Sequence, residues 1–333
     1  MARPPSHRSP TVRDVAAALG INHSTVSRAF SHPQRLKPET VERVLEAAKR
    51  LGYQPNQLAR ALTTGKPGNI ALIVPDISNP FFPPLIRAAQ RAADAAGFAV
   101  FIGDSNEDPA EEFRLAQRLS PQIDGFVFAS SRLSEAQLHD VAKLRPTVLI
   151  NREVEGLSRV QIDPGIGLTH AVEHLKGLGH KHIVYLAGPA ASWSDQQRRA
   201  VLVEAARVHD LKIDIAERAA LDEATRFATV RDLVKTGATA AIAFDDFVAH
   251  RLLAGLAQCD IAVPRAFSVI GFDDVLGTSI FPALSSVFAP NEEAGQMAIT
   301  LLLDQLSSGS ALDQRERLAT EFVARATTGA PPR

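Results

Sequence analysis

The first fifth of the chain places apolar residues at helical spacing in three successive stretches. Thr11 opens the first stretch and Gly20 closes it, as expected of a capped helix of about eight residues. Asn22 is a good N-cap for the second stretch, and Pro38 suits the first turn of a third stretch that ends at Gly52. Two short helices joined by a tight turn and supported by a third are typical of a helix-turn-helix head.

The second predicted helix has one apolar and one polar side. At about 100° per residue, its apolar residues fall on one side, while His23, Ser24 and Arg28 fall on the other. Arginine can donate two hydrogen bonds to guanine O6 and N7, so this face suits the DNA major groove. Residues 1–66 carry a net charge of +7 and the remainder −8. A three-helix head could also dock on a protein, but the basic charge favours DNA.

From residue 69 onward, short apolar strands alternate with amphipathic helices. The predicted strands are 69–75, 98–103, 124–130, 146–151, 182–188, 240–246 and 267–274, and the predicted helices are about 83–96, 109–119, 134–144, 166–178 and 195–208. Strands separated by helices indicate parallel sheets covered on both faces, and two such groups indicate two doubly wound α/β lobes. Because ligands bind beyond the carboxyl ends of such strands, we expect a small molecule between the lobes.

Composition limits the remaining possibilities. A chain of 333 residues predicts about two domains, and it has no apolar run near the roughly 18 residues that a membrane span needs. The start, MARPPSHRSP, has no apolar signal region. The single cysteine, Cys259, cannot form an internal disulfide or a cysteine-based metal cluster. These features predict a cytoplasmic protein.

Three segments carry a family resemblance that runs from Thr11 to about Thr327. TVRDVAAALGINHSTVSRAFSHP, KPETVERVLEAAKRLGYQPNQLARAL and IALIVPDISNPFF together resemble the lactose-repressor (LacI/GalR) family of bacterial transcription regulators. The resemblance implies a nucleoid-associated homodimer, usually a repressor, that binds a pseudo-palindromic operator and responds to a small-molecule effector. It also implies a periplasmic-binding-protein-like body whose chain crosses between the lobes three times.

These expectations define the domain boundaries. Residues 1–54 form the helix-turn-helix domain, 55–68 the hinge helix and linker, and 69–327 the effector-binding and dimerisation body. Lobe one is expected at about 69–162 plus 292–318, and lobe two at about 163–290 plus 319–327.

The resemblance also assigns the DNA contacts. It places His23 and Ser24 at the main base-reading positions and Arg28 at the following one. The residues at backbone-contacting positions are Thr25, Ser27, Tyr53 and Asn56. The hinge, 55–62, is too short to form a stable helix alone in water. The resemblance implies that two hinges pair in the minor groove, where Leu62 wedges open a base step; alternatively, Leu58 and Leu62 pack on the body.

Polar residues at the predicted strand ends are the effector candidates. By the resemblance, Asp273 and Arg198 bind effector hydroxyls or amines, and Phe82 covers an apolar side of the ligand. The remaining candidates are Asn151, Arg152, Ser194 and Asp245, the last of which stands where asparagine is usual. A sugar or sugar derivative is the effector that the resemblance implies, and a nucleoside or a sugar acid remains open.

Two enzyme hypotheses compete with this interpretation. His170 to His174 spell H-x-x-E-H, a zinc-hydrolase signature, although the same stretch fits the ordinary pattern of the resembled regulators. The pairs Asp245-Asp246 and Asp273-Asp274 could indicate magnesium or acid/base catalysis, but adjacent side chains diverge, so we expect one of each pair to cap the next helix. We therefore predict that the protein is not an enzyme and that it binds neither a metal ion nor a cofactor. A solute-binding transport component is the other alternative, but it has no use for a DNA-binding head.

Overall fold

The structure is a computed structural model that describes residues 10–31, 33–53, 67–217, 225–279, 281–309 and 313–332. The chain separates into two compact units, the first ending at Gly68 and the second beginning at Asn69. Each unit has its own hydrophobic core.

The described residues of the N-terminal unit form three α-helices around a small core. They are α1 (Val12–Leu19), α2 (His23–Ser31) and α3 (Pro38–Leu51), with a 3₁₀ turn at Pro33–Arg35. Val15, Val26 and Val44 contribute one fully buried side chain from each helix. Gly20 ends α1 in the left-handed conformation, with φ of 67°, where a side chain would be strained. The predicted three-helix head is therefore present.

The C-terminal unit alternates strands and helices throughout. Its strands are β1 (Asn69–Val74), β2 (Ala99–Asp104), β3 (Gly125–Ala129), β4 (Thr147–Ile150), β5 (Ser158–Asp163), β6 (His182–Leu186), β7 (Lys212–Ala216), β8 (Ala240–Ala243), β9 (Ser268–Asp273), β10 (Ser285–Phe288), β11 (Arg315–Ala319) and β12 (Glu321–Val323). Its helices are α4 (Phe82–Ala95), α5 (Pro109–Leu119), α6 (Glu135–Leu144), α7 (Gly165–Leu178), α8 (Trp193–Val208), α9 (Arg226–Lys235), α10 (Asp246–Gln258) and α11 (Asn291–Ser308).

The strands form two six-stranded sheets, one in each lobe. The first has the order β11-β5-β4-β3-β1-β2, with every neighbouring pair parallel. The second has the order β12-β10-β9-β8-β6-β7, in which β12 runs antiparallel to β10 and the other pairs are parallel. The winding direction reverses between β1 and β3 and again between β6 and β8. These are the positions where doubly wound sheets bind ligands.

Helices cover both faces of each sheet, so the central strands are almost entirely apolar. In β3, for example, all five residues of GFVFA are buried. One continuous core joins α4 and α11 of lobe one to α7 and α8 of lobe two, and a separate core lies on the other face of each sheet. This arrangement confirms the predicted fold class. None of the described helices is long and apolar enough to cross a membrane.

The sequence pattern missed the strands β5, β7, β10, β11 and β12. β5 has the sequence SRVQID, whose polar residues argue against a buried strand, yet its first five residues are buried. Arg159 is fully buried there because its guanidinium donates to Asp313 Oδ1 at 2.7 Å and to Glu153 Oε1 at 3.0 Å. These two carboxylates compensate the buried positive charge of Arg159, which the local sequence pattern gave no reason to expect in a buried strand.

Candidate DNA-binding surface and ligand cleft

The outer face of α2 is exposed and polar, as predicted. His23, Ser24, Ser27 and Arg28 are exposed, whereas Thr25 is half-buried. Asn22 Oδ1 accepts the Ser24 amide at 3.1 Å and the Ser24 hydroxyl at 3.2 Å, which confirms Asn22 as the residue that caps this helix. The α2 face thus presents a cation, an imidazole and hydroxyls on a helix held from behind by a packed core.

Tyr53 has a structural role in the same unit. Its ring packs edge-on against Phe30, with ring centroids 5.7 Å apart, and the side chain is half-buried. Burial raises the pKa of the Tyr53 hydroxyl. The predicted backbone contact of Tyr53 remains a prediction, and Asn56 and Leu62 lie outside the described residues.

In the second unit, a cavity of about 40 Å³ lies between the two lobes. The lining residues follow the carboxyl ends of strands or begin the next helix: Pro75, Asn79, Phe81, Phe82, Glu107, Ser130, Arg132, Asn151, Ser192, Ser194, Arg198, Phe244, Asp245 and Asp273. Six of the seven predicted effector residues therefore come together in one cavity.

Arg152 is the exception, because it does not line the cavity. The preceding residue, Asn151, has φ of 52°, and adjacent side chains at this turn point in different directions. Arg152 Nη2 instead donates to the carbonyl of Leu133 at 3.3 Å. The prediction for Arg152 is thus not supported by the geometry.

Arg198 and Asp273 form an ion pair in the wall of lobe two. Arg198 Nη2 lies 3.4 Å from Asp273 Oδ1, Nη1 donates to the carbonyl of Phe244, and the two charged residues are only 7% and 4% exposed. The guanidinium carbon lies 3.5 Å from the ring centroid of Phe272 and 4.6 Å from that of Phe244. These contacts fix the guanidinium plane beside the Asp273 carboxyl group.

Asp245 connects the two lobes. Its Oδ1 accepts the backbone N–H of Val248 at 2.7 Å and caps α10, and its Oδ2 accepts Asn79 Nδ2 at 3.0 Å. Asn79 belongs to lobe one, in the turn after β1, where its own Oδ1 accepts the N–H of Phe81 at 3.0 Å. The Asn79–Asp245 hydrogen bond therefore spans the cleft.

Lobe one supplies a second arginine–carboxylate pair that sequence reasoning missed. Arg132 Nε and Nη2 donate to Glu107 at 2.6 and 3.1 Å, and Nη1 donates to the carbonyl of Ser130 at 2.7 Å. Both residues come shortly after strand ends, β2 for Glu107 and β3 for Arg132. The rule that located Asp273 would have located them as well.

The cavity wall includes strained backbone. The non-glycine residues Glu107, Ser130, Asn151 and Asp273 have φ of 60°, 53°, 52° and 95°. Such conformations cost about 1–3 kcal/mol each and occur mainly where the surrounding structure uses them. Four of them around one cavity support a binding role.

The aspartates of lobe two sit in a poorly solvated region. Burial raises the pKa of Asp273 well above its ordinary value, although Arg198 lowers it and the neighbouring Asp245 raises it further. Burial likewise raises the pKa of Asp245 and brings that of Asp246 to about 6. Burial thus makes negative charge costly at this wall, and a ligand that adds negative charge there would increase that cost.

The aspartate pairs have divided roles. As predicted, one member of the first pair, Asp245, caps the next helix. The prediction was wrong for the second pair, because the described residues between β9 and β10 form no helix, and Asp274 instead pairs with Arg325 through contacts of 2.6 and 2.7 Å.

The H-x-x-E-H residues do not converge. His174 Nε2 lies 2.9 Å from Thr328 Oγ1, Glu173 lies 3.4 Å from His209, and His170 is exposed. Among the described residues, no group of three or more His, Cys, Asp or Glu side chains is arranged to hold a metal ion. Their geometry fits packing and surface pairing.

Comparison with known proteins identifies both units. Residues 11–56 match the family model described as bacterial regulatory proteins, lacI family, and residues 172–328 match a periplasmic binding protein-like domain. The chain is 32% identical over 332 residues to the HTH-type transcriptional repressor CytR of Escherichia coli, covering 97% of each protein. It is 30% identical over 324 residues to the ribose operon repressor of Halalkalibacterium halodurans, covering 96% of this chain and 97% of the relative.

Solved structures give the same assignment. A transcriptional regulator CelR–cellobiose complex matches 96% of this chain and 99% of its own, with a TM-score of 0.69 and 26% identity. The lac repressor dimer bound to operator and an anti-inducer matches 97% of this chain and 100% of its own, with a TM-score of 0.81; at 24% identity it supports the fold alone. The family prediction is confirmed, and the chain belongs to the lacI family of bacterial regulatory proteins, which makes it a DNA-binding transcription regulator.

Proposed function

We propose that this regulator is a repressor whose operator affinity is controlled by a sugar or sugar derivative bound between its lobes. The exposed α2 face with Arg28, mounted on a basic three-helix unit, is the observation that carries the DNA-binding half. The names of a ribose operon repressor and of a cellobiose complex among its relatives support a carbohydrate effector.

The cleft supports the regulatory half. A cavity of about 40 Å³ is far smaller than the roughly 300–1,000 Å³ of typical small-molecule sites, so a sugar requires the lobes to part. Parting breaks the Asn79–Asp245 hydrogen bond. An effector that binds one lobe arrangement more tightly than another shifts the population toward that arrangement. By thermodynamic linkage, if the effector changes operator affinity by some factor, the operator changes effector affinity by the same factor.

We also propose that the regulator works as a homodimer on a pseudo-palindromic operator. Phe281 is fully exposed and lies beside an apolar groove of about 630 Å³. The groove is lined by His250, Leu253, Ala254, Ala257, Asp260, Ile261, Ala262, Val263 and Pro282 together with Phe281. An aromatic ring left entirely in water beside an apolar groove suits a contact between two copies of the chain.

Arg28→Ala tests the DNA-binding proposal. The preferred duplex is first selected from a random pool with the full chain, and binding to it and to scrambled duplex is then measured at fixed salt. We expect the variant to lose about 1–3 kcal/mol of preference for the selected duplex, because a bidentate base contact is removed. Ligand affinity should stay unchanged.

Arg43→Ala is the matched control, because Arg43 is an exposed arginine on α3 and the substitution removes the same charge. It should weaken binding to selected and scrambled duplex alike. Equal preference for the selected duplex in wild type and Arg28→Ala would contradict the assignment of Arg28 to base contact.

A further inference from the structure

The described wall of the interlobe cavity contains five ionisable side chains. They are Glu107, Arg132, Arg198, Asp245 and Asp273. Three are carboxyl groups and two are guanidinium groups, so the chemical class of ligand depends on how these charges are already paired.

Both arginines of the wall are already paired with a carboxyl group. Arg132 contacts both oxygens of Glu107, and its remaining Nη donates to the carbonyl of Ser130. Arg198 contacts Asp273 and the carbonyl of Phe244, and the ring of Phe272 covers one face of its guanidinium. Recognition of a carboxylate or phosphate usually uses a guanidinium or an ammonium group, and the positive charge of each guanidinium here is already balanced by a carboxyl group of the protein.

The carboxyl groups, in contrast, offer acceptors. Asp245 is 5% exposed, and its Oδ2 accepts a hydrogen bond from Asn79 Nδ2 across the cleft. Parting the lobes removes that donor, and the loss of a hydrogen bond to a buried carboxyl group is costly. A ligand hydroxyl or amine at the same place would restore the hydrogen bond.

We propose that Asp245 sets the charge class of the ligand: the cleft admits polyhydroxylated molecules without negative charge, which donate to Asp245 in place of Asn79, and it excludes sugar acids and sugar phosphates. This inference rests on the proposed function of the cleft as the effector site.

Electrostatics supports the exclusion. Asp245 and Asp273 already lie in one poorly solvated wall, where burial raises the pKa of Asp273, Arg198 lowers it and the charge of Asp245 raises it further. An acidic ligand would add a fourth negative group to the three carboxyl groups of the wall, and both arginines there are already paired with carboxyl groups. Sugars without acidic groups avoid this cost.

The test is a comparison of matched sugar pairs by isothermal titration calorimetry on the full chain. The probes are D-ribose with D-ribose 5-phosphate, D-glucose with D-glucuronate, D-galactose with D-galacturonate, and D-glucosamine. For the wild type, we expect the tightest probe to be uncharged or an amine, with its acidic counterpart bound at least tenfold more weakly. An acidic probe that binds tightest, or a complete failure of the uncharged and amino sugars to bind, would overturn the inference.

Asp245→Asn isolates the charge, because asparagine keeps the capping bond to Val248 N–H and nearly the same shape. We expect this variant to bind the preferred sugar about tenfold more weakly than the wild type does. The affinity difference, or gap, between that sugar and its acidic counterpart should also shrink by about tenfold. Asp108→Asn is the matched control: Asp108 also caps a helix, accepting the N–H of Ala110 at 2.8 Å, but lies outside the cavity. It should leave both affinities unchanged, and an undiminished gap in Asp245→Asn would count against the proposal.

Operator release distinguishes this inference from the proposed function. If an acidic sugar binds and releases the selected duplex, the charge inference fails and effector control stands. If uncharged sugars bind as expected but none changes duplex affinity, effector control fails and the charge selectivity stands.

Discussion

Arg198 and Asp273 illustrate what could be predicted residue by residue in the cleft. Both were expected from their place after apolar strands and from the family resemblance, and both line the cavity. Asn79 was missed because it follows β1 by five residues, and only its turn, closed by the Phe81 N–H, brings the amide to Asp245. Hydrogen bonds between residues 166 positions apart leave no periodic signal in the sequence.

Asp246 allows a prediction about pH at the same scale. It is fully buried, Ser286 Oγ and the Leu276 N–H donate to it at 2.6 and 2.9 Å, and its pKa rises to about 6 from an ordinary value of 3.8. The folded protein therefore binds more protons than the unfolded chain between these values, and this contribution to stability falls as the pH rises through 6.

We expect acidification from pH 7 to pH 5 to add about 1 kcal/mol to the free energy of unfolding through this residue. Asp246→Asn should remove that gain, as measured by urea denaturation of wild type and variant at both pH values. Asp94→Asn, which changes an exposed carboxylate, should keep the wild-type difference between the two pH values. An unchanged pH response in Asp246→Asn would contradict the assignment.

Among the elements, the helices α4 to α8 were easier to predict than the strands at the ends of the two sheets, whereas α9 to α11 were not predicted. The amphipathic pattern located α4 to α8 within two residues at either end, because each helix buries one stripe on a sheet. β5 and β11 could not be found in this way, because β11 joins the sheet from about 150 residues downstream and supplies Asp313 to Arg159 from the segment just before it. Long-range pairing of polar strands is invisible to local patterns.

The packing of α4 against α11 gives a prediction for one glycine. A Cβ on Gly295 would lie 2.3 Å from the carbonyl oxygen of Leu85, so the two helices are too close for any side chain at this position. We expect Gly295→Ala to lower the free energy of unfolding by about 1–3 kcal/mol, because the helices must shift apart. Guanidinium denaturation of the full chain measures this change.

Gly177→Ala provides the contrast. Gly177 lies within α7, and nothing stands within 4 Å of an added Cβ. Alanine there should stabilise the protein by about 0.5–1 kcal/mol through its better helix propensity. Equal changes in the free energy of unfolding for Gly295→Ala and Gly177→Ala would show that the close approach of α4 and α11 does not exclude a side chain at position 295.

The whole molecule combines a basic N-terminal head with an acidic body, and counting charged residues in the sequence is enough to predict this division. The net charges of +7 for residues 1–66 and −8 for the rest favour approach of the head to the phosphate backbone. The sequence also predicted two lobes with a site between them. It did not reveal how little space the lobes leave, since the separation of two domains depends on contacts such as Asn79–Asp245.

Phe281→Asp tests the proposed homodimer. A charge in place of the fully exposed ring should prevent its burial against a second copy and shift the chain toward monomer by at least tenfold in dissociation constant, as measured by sedimentation equilibrium. Operator affinity should fall with it, because two linked heads bind a two-part site more tightly than one.

Ile166→Asp is the control for this change. Ile166 is also exposed and apolar, but lies on α7, against the opposite face of the lobe-two sheet from the groove beside Phe281. It should leave the dissociation constant as it is. A dimer that survives Phe281→Asp unchanged would place the subunit contact elsewhere.

The left-handed backbone conformations around the cavity matter for any redesign of this regulator as a biosensor. At Ser130, glycine would relieve the torsional penalty that the present residue incurs and would keep the carbonyl that Arg132 contacts. Asn151 and Asp273 differ, because their side chains hold the Ile162 N–H and the Arg198 guanidinium. Substitution of Ser130 by glycine should therefore raise thermal tolerance, and libraries that vary the rest of the wall can begin from that more stable variant.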